Sequence, residues 1–137
     1  MDLEHQELTG AIIGAAVRVH RALGPGFVEL AYENALAIEL TRSAIPFERQ
    51  LTLSVFYEGV EVAVHRLDLL VASEIVVELK AVRHVDDVHR AIVRSYLRAS
   101  GRTHALLLNF GRDVLETRRL IERPLPRLPV SSPPRLS

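Results

Sequence analysis

Residues 66–80, RLDLLVASEIVVELK, decide how this chain folds. Leu69-Leu70-Val71 and Ile75-Val76-Val77 are two apolar runs separated by Ala72-Ser73-Glu74. Short apolar runs split by small and polar residues read as antiparallel strands joined by a tight turn. The second run is apolar on both faces, with Ile75, Val76, Val77 and Leu79, as in a central strand covered on both sides. Residues two apart on a strand share a face, so Glu78 and Lys80 project together. A three-residue turn pairs Val71 with Ile75 and sets Asp68 opposite Glu78, with facing Cβ atoms about 5 Å apart. A two-residue turn would shift the register and weaken that geometry.

Outward from this hairpin, Val60 to Val71 reads as the whole of the first strand. Before it, Leu51, Leu53, Val55 and Tyr57 alternate with Thr52, Ser54 and Phe56, and Glu58-Gly59 makes the turn. Two helices come first: Glu7 to Leu23, ended by Gly24-Pro25-Gly26, and Val28 to Ser43, closed by Ile45-Pro46. After the hairpin come a helix over 86–100 with Asp86 or Asp87 as N-cap, a buried strand over 104–110, and an edge strand over 114–121. The order ααβββαβ(β) is an α/β (α+β) sandwich with a mixed central sheet flanked by helices. Residues 1–122 form a single domain, and the proline-rich 123–137 is expected as a flexible tail.

The chain has 137 residues, 48% hydrophobic and 25% charged, which suits one globular domain with its own core. Its formal net charge is zero, so no global field draws it to polyanions or to a membrane surface. It has no cysteine, which excludes disulfides, thiol chemistry and Cys-based zinc sites. The acidic start MDLEHQEL is wrong for a secretory signal, and the apolar run 11–17 is too short to span a bilayer. A cytoplasmic protein without membrane contact is expected.

Lys80 is the only lysine among 17 Lys and Arg residues. An arginine is a permanently charged fork, whereas lysine is a compact point charge that can lose its proton when buried. Two carboxylates converging on an apolar sheet are costly unless neutralised. A hard divalent cation such as Mg²⁺ typically takes one or two carboxylates and fills its remaining positions with water and phosphate oxygens. A lysine beside such a cation can orient or deprotonate an attacking water. The bland alternative is a cross-strand Asp68/Lys80/Glu78 salt bridge. On the second helix, Glu29 and Glu33 lie on the side of Leu36 and Leu40, so Glu29 could reach the cluster. The alternative for Glu29 is a first-turn acid favoured by the helix dipole.

Gly26, Glu29 and Tyr32 in GPGFVELAYENAL, Asp68 with Glu78-Leu79-Lys80, Gln50 in FERQLTL, and LLLNFG at 106–111 together form an ordered set. This set resembles the GxxExxY proteins of the PD-(D/E)XK nuclease superfamily. The resemblance implies a restriction-endonuclease-like core and an Mg²⁺- or Mn²⁺-dependent nuclease acting on DNA or RNA. It implies Asp68, Glu78 and the Leu79 carbonyl as metal ligands, Lys80 at the water, and Glu29 near the metal. The family's helix after this strand reads like H-x-A-Q-x-x-x-Y-L; this chain keeps His89, Ala91, Tyr96 and Leu97 but has Ile92 in place of the glutamine.

Tyr32, Gln50, Arg66, His89 and Tyr96 are expected as supporting residues. Arg66 shares the face of Asp68 and could pair with a carboxylate or a phosphate. His89 sits mid-stripe, where a core histidine is the competing reading. Arg90, Arg94 and Arg98 form a stripe on the opposite side of that helix, expected as a solvated face. The second functional reading is a catalytically silent nuclease fold that binds nucleic acid or a protein. A homodimer is expected from surface economy, since two sites could then span a duplex.

Overall fold

The computed structural model describes residues 3–123, so all of the expected tail beyond Arg123 lies outside the described residues. The elements are α1 (Leu3–Leu23), α2 (Glu29–Arg42), β1 (Phe47–Tyr57), β2 (Val60–Val71), β3 (Ile75–Lys80), α3 (Asp87–Ser100), β4 (His104–Asn109) and β5 (Glu116–Ile121). The sheet runs β1-β2-β3-β4-β5, with β3 and β4 parallel and every other pair antiparallel. This is the mixed sheet expected from the sequence. Three boundaries differ from that reading by more than one residue: α1 starts four residues before Glu7, β1 starts four residues before Leu51, and β5 starts after the exposed Val114.

Helices cover both faces of the sheet. On one side, Ile12, Ala15, Ala16 and Val19 of α1 and Leu36 and Leu40 of α2 pack on Leu69, Val71, Ile75, Val77, Leu79, Leu106 and Leu108. On the other, Val93 and Leu97 of α3 pack on Leu67, Leu70, Val76, Ala105, Leu107 and Leu120. β3 is buried from Ile75 to Leu79, as a strand covered on both faces must be. Each such Leu, Ile or Val contributes roughly 1.5–3 kcal/mol on burial.

α3 starts with a reciprocal cap: His89 N–H donates to Asp86 Oδ1 at 3.0 Å, and Asp86 N–H donates to His89 Nδ1 at 3.2 Å. It ends at Gly101, whose φ of 71° is the left-handed conformation glycine adopts without a Cβ penalty. His89 is therefore a half-buried capping residue, which corrects the core reading of it. The arginine stripe behaves as a solvated face: Arg90 pairs with Asp87, and Arg94 and Arg98 pair with Glu122 at 3.3 and 3.6 Å.

The turn between β2 and β3 has three residues, so Leu69 pairs with Val77, Leu70 with Val76 and Val71 with Ile75. The backbone ladder stops there, one step short of Asp68 and Glu78. At the same level β1 and β2 change sides. Phe47, Leu69 and Val71 pack in the α1/α2 layer, whereas Leu51, Leu53 and Leu67 pack in the α3 layer. Strict alternation would keep residues 67 and 69 on one face. The exchange falls at Gln50, whose φ is 52° and which is skipped in the β1–β2 ladder between Arg49↔Leu69 and Leu51↔Leu67. Continued across the gap, that register sets Gln50 opposite Asp68.

Candidate active site

Where the β2–β3 ladder ends, the two carboxylates take over its hydrogen bonds. Asp68 N–H donates to Glu78 Oε1 at 3.0 Å, and Leu79 N–H donates to Asp68 Oδ2 at 2.9 Å. Each side chain thus caps an amide of the opposite strand, and β2 and β3 part around a small cleft. The register predicted for Asp68 and Glu78 holds, because the turn has the length that places them together. A strand residue's carbonyl projects to the same side as its amide. The Leu79 carbonyl therefore turns toward Asp68 as well.

The cleft holds more negative charge than its surroundings tolerate. Glu78 is 4% exposed. Burial, followed by the charge of Asp68, pushes its carboxyl up from 4.5 to about 8, against the Asp68 amide and the Lys80 charge. Asp68 is also raised, chiefly by burial and further by the charge of Glu33; the Leu79 amide and Lys80 oppose this. Tyr96 reaches the same space from α3, and burial and then the charges of Glu78 and Asp68 raise its phenol. The Tyr96 ring also lies edge-on to His65 of β2, with centroids 4.8 Å apart. Among the described residues, Lys80 makes no ion pair with either carboxylate within 4.0 Å, and its charge acts on both from further away.

The acid that α2 sends toward Asp68 is Glu33, not Glu29. Glu29 opens the helix and is exposed, whereas Glu33 is buried. Gln50 Nε2 donates to Glu33 Oε1 at 2.6 Å, and Arg49 Nε and Nη2 donate to Glu33 Oε2 at 3.0 and 2.7 Å. Both Glu33 oxygens are engaged, so Glu33 acts on Asp68 through its charge and through the Gln50 it holds. Gln50 is thereby tied to α2 through Glu33. Tyr32 is fully buried beneath the α1–α2 turn, where its hydroxyl donates to Gly24 O at 2.6 Å and accepts from Phe27 N–H at 3.1 Å. Arg66 is exposed on β2, two residues before Asp68, and Ile92 is 41% exposed on α3.

Among the described residues, no group of three or more His, Asp or Glu side chains is arranged to hold a metal ion. What the cleft offers is two carboxylates, each with one oxygen on a backbone amide, and one backbone carbonyl. That all-oxygen set fits a hard cation completed by water and phosphate oxygens, not a protein cage. Concavities of about 470, 500 and 500 Å³ lie along residues 112–118, between His5 and Arg123, and beside Arg42 and Arg49, and none of the three is lined by Asp68, Glu78 or Lys80. Among the described residues, no helix is long and apolar enough to cross a membrane.

A family model of the PD-(D/E)XK nuclease superfamily matches residues 6–122. No curated protein and no solved structure gave a match. That span takes in every strand and helix that builds the cleft, and the chain belongs to the PD-(D/E)XK nuclease superfamily.

Proposed function

We propose that this chain is a divalent-metal-dependent nuclease, cleaving phosphodiesters in DNA or RNA, of the GxxExxY group within its superfamily. The observation that carries the reading is the exchange between Asp68 and Glu78 at the parting of β2 and β3, with Lys80 one step further along the same face. A buried Glu78 and a half-buried Asp68, their ionisation opposed by burial and by the charges of Asp68 and Glu33 respectively, suit a site that takes up a cation. Asp68, Glu78 and the Leu79 carbonyl would hold Mg²⁺ or Mn²⁺, which supplies charge neutralisation and polarises the scissile phosphate. Lys80 orients the attacking water and offsets charge gathering on the phosphate. Tyr96 and Gln50 would bound the cleft from α3 and β1, whereas Arg66, between the α3-facing His65 and Leu67, turns to the other side of the sheet and has no part in it.

The second reading is a silent nuclease fold that binds nucleic acid or protein. Ile92, which cannot hydrogen-bond where the family has glutamine, favours it. Cleavage of a panel of single- and double-stranded DNA and RNA at low salt, in Mg²⁺ and in Mn²⁺, separates the two. Wild type should cut, and Asp68→Ala and Lys80→Ala, purified in parallel, should not. Equal behaviour of all three proteins would refute the enzymatic reading.

A further inference from the structure

The turn Asn109-Phe110-Gly111 contains no residue assigned to the cleft, yet it touches the backbone that carries Lys80 at three points. Lys80 is the last residue of β3, paired with Asn109 of β4. A side chain on the last residue of a strand ordinarily inherits that end's tendency to fray. Here Phe110 N–H donates to Lys80 O at 2.8 Å. Asn109 is 0% exposed, and its side chain holds both backbone groups of Val82: Oδ1 accepts from Val82 N–H at 3.0 Å, and Nδ2 donates to Val82 O at 2.8 Å. Its remaining capacity goes to Gly111 N–H and Glu116 Oε1, both at 3.0 Å. That is the full complement of an asparagine side chain, two donated and two accepted bonds.

Gly111 makes this closeness feasible. A Cβ there would lie 2.4 Å from Val82 O and 2.5 Å from Val82 N, inside the backbone itself. The turn is in its own right anchored in the α1/α2 layer. Phe110 is fully buried and stacks on Tyr32 with centroids 4.5 Å apart, and His20 Nε2 donates to Arg112 O at 2.7 Å.

We propose that Asn109, seated by Phe110 and Gly111, is the positioning residue for Lys80. It fixes residues 80–82 so that the lysine leaves the sheet at one angle toward the Asp68/Glu78 cleft. The proposal rests on the nuclease reading for its effect on rate, but not for its effect on the placement of the lysine. Asn109 acts through Lys80 and touches no reacting atom. A misplacement of about 1 Å in such a group costs about 100-fold in rate, with binding little changed.

Because Lys80 is the only lysine, reductive ¹³C-methylation of the full chain gives one lysine signal besides the N-terminal amine. That signal is compared in wild type, Asn109→Ala, Gly111→Ala and the milder Asn109→Ser, with Leu40→Ala as a core-destabilised control away from the turn. The kcat and KM for cleavage in Mn²⁺ are measured on the same unmethylated proteins. We expect the lysine signal to shift or broaden in the turn variants and not in Leu40→Ala. In the turn variants kcat should fall about 10–100-fold, with KM held within about threefold and the Mn²⁺-induced rise in Tm retained. Asn109→Ser, whose hydroxyl introduces no buried charge, should fall between Asn109→Ala and wild type and serves if the others do not fold. An unmoved lysine signal in the turn variants, or a loss of kcat no larger than in Leu40→Ala, overturns the proposal. If wild type cleaves nothing, the nuclease reading fails and the lysine signal alone decides: changed supports the positioning role, unchanged overturns it.

Discussion

Glu78→Gln is the substitution that most directly probes the physics of the cleft. Gln keeps the shape and the oxygen that accepts from Asp68 N–H, and it removes a charge that is disfavoured there. The Glu78 carboxyl is raised from 4.5 to about 8 in the fold, so the folded state holds a proton that the unfolded chain has lost. Stability of the metal-free protein therefore falls as pH rises from about 4.5 through about 8, and is flat in this contribution above that. At about 1.4 kcal/mol per tenfold in the proton equilibrium, the full penalty at about pH 9 is about 5 kcal/mol. A buried amide still has some desolvation to meet, so Glu78→Gln should recover roughly half of it, about 2–3 kcal/mol. For a domain of this length that is a rise in Tm of about 5–10 °C. At about pH 5, where Glu78 is protonated in the fold, the two proteins should melt within about 2 °C of one another. Thermal melts in chelator across pH measure the difference, and a second series in excess Mn²⁺ completes the test. Wild type at high pH should gain about 3 kcal/mol at about 100 times the dissociation constant, and Glu78→Gln much less. Parallel melting curves across pH, or a variant less stable than wild type at about pH 9, would refute the reasoning. Either result would mean that Glu78 is ionised and well paired in the fold, as in the salt-bridge reading.

Asp68→Ala should lose cleavage by at least about 100-fold together with the Mn²⁺ stabilisation, whereas Lys80→Ala should lose cleavage and keep the stabilisation. A gel assay and a metal titration by thermal shift separate the two. Glu33→Gln should cost about 1–3 kcal/mol in chemical denaturation, because Arg49 and Gln50 lose a charged acceptor. It should retain most of the Mn²⁺ shift, since both Glu33 oxygens are engaged within the protein; loss of that shift would make Glu33 a ligand. Tyr32→Phe should lower stability by about 1–2 kcal/mol through the hydroxyl that joins Gly24 to Phe27, and leave metal affinity unchanged.

The hairpin was legible because its geometry is local: three residues in the turn set the register, and the register alone brings Asp68 to Glu78. The central position of β3 was legible from its apolar faces. The choice between Glu29 and Glu33 was not. Both lie on one side of α2 at helical spacing, and what distinguishes them is the pair Arg49 and Gln50, far away in sequence on β1. A signal was present, since Tyr32, Glu33, Leu36, Ala37 and Leu40 step along the helix in the one-and-three spacing of a buried stripe, and Glu33 is inside it. His89 was also decodable: Asp86 and His89 have the three-residue offset of a reciprocal N-terminal cap, with a ring nitrogen in the usual place of a carboxylate. The left-handed Gln50 had no local signal, because a glutamine in a strand sequence announces no change of face.

Three unfavourable local choices fall where the chemistry would occur. Gln50 adopts a backbone conformation that costs a non-glycine residue of order 1 kcal/mol or more. Glu78 holds a carboxyl where burial resists its charge. The β2–β3 ladder gives up its next backbone pair to two side chains. A strand pair optimised for stability would continue the ladder and place valine or leucine at 68 and 78, as it does at 69–71 and 75–77. Each departure instead supports the next. The turn of face at Gln50 aligns it with Asp68 and hands its amide to Glu33, the parted ladder lets both carboxylates face one space, and on the positioning proposal the fixed end of β3 would aim Lys80 at it. Local departures that reinforce one another over the width of two strands are what selection for a site leaves in a sheet. They are also why restoring ordinary sheet chemistry at Glu78 should make the metal-free protein more stable and less able to act.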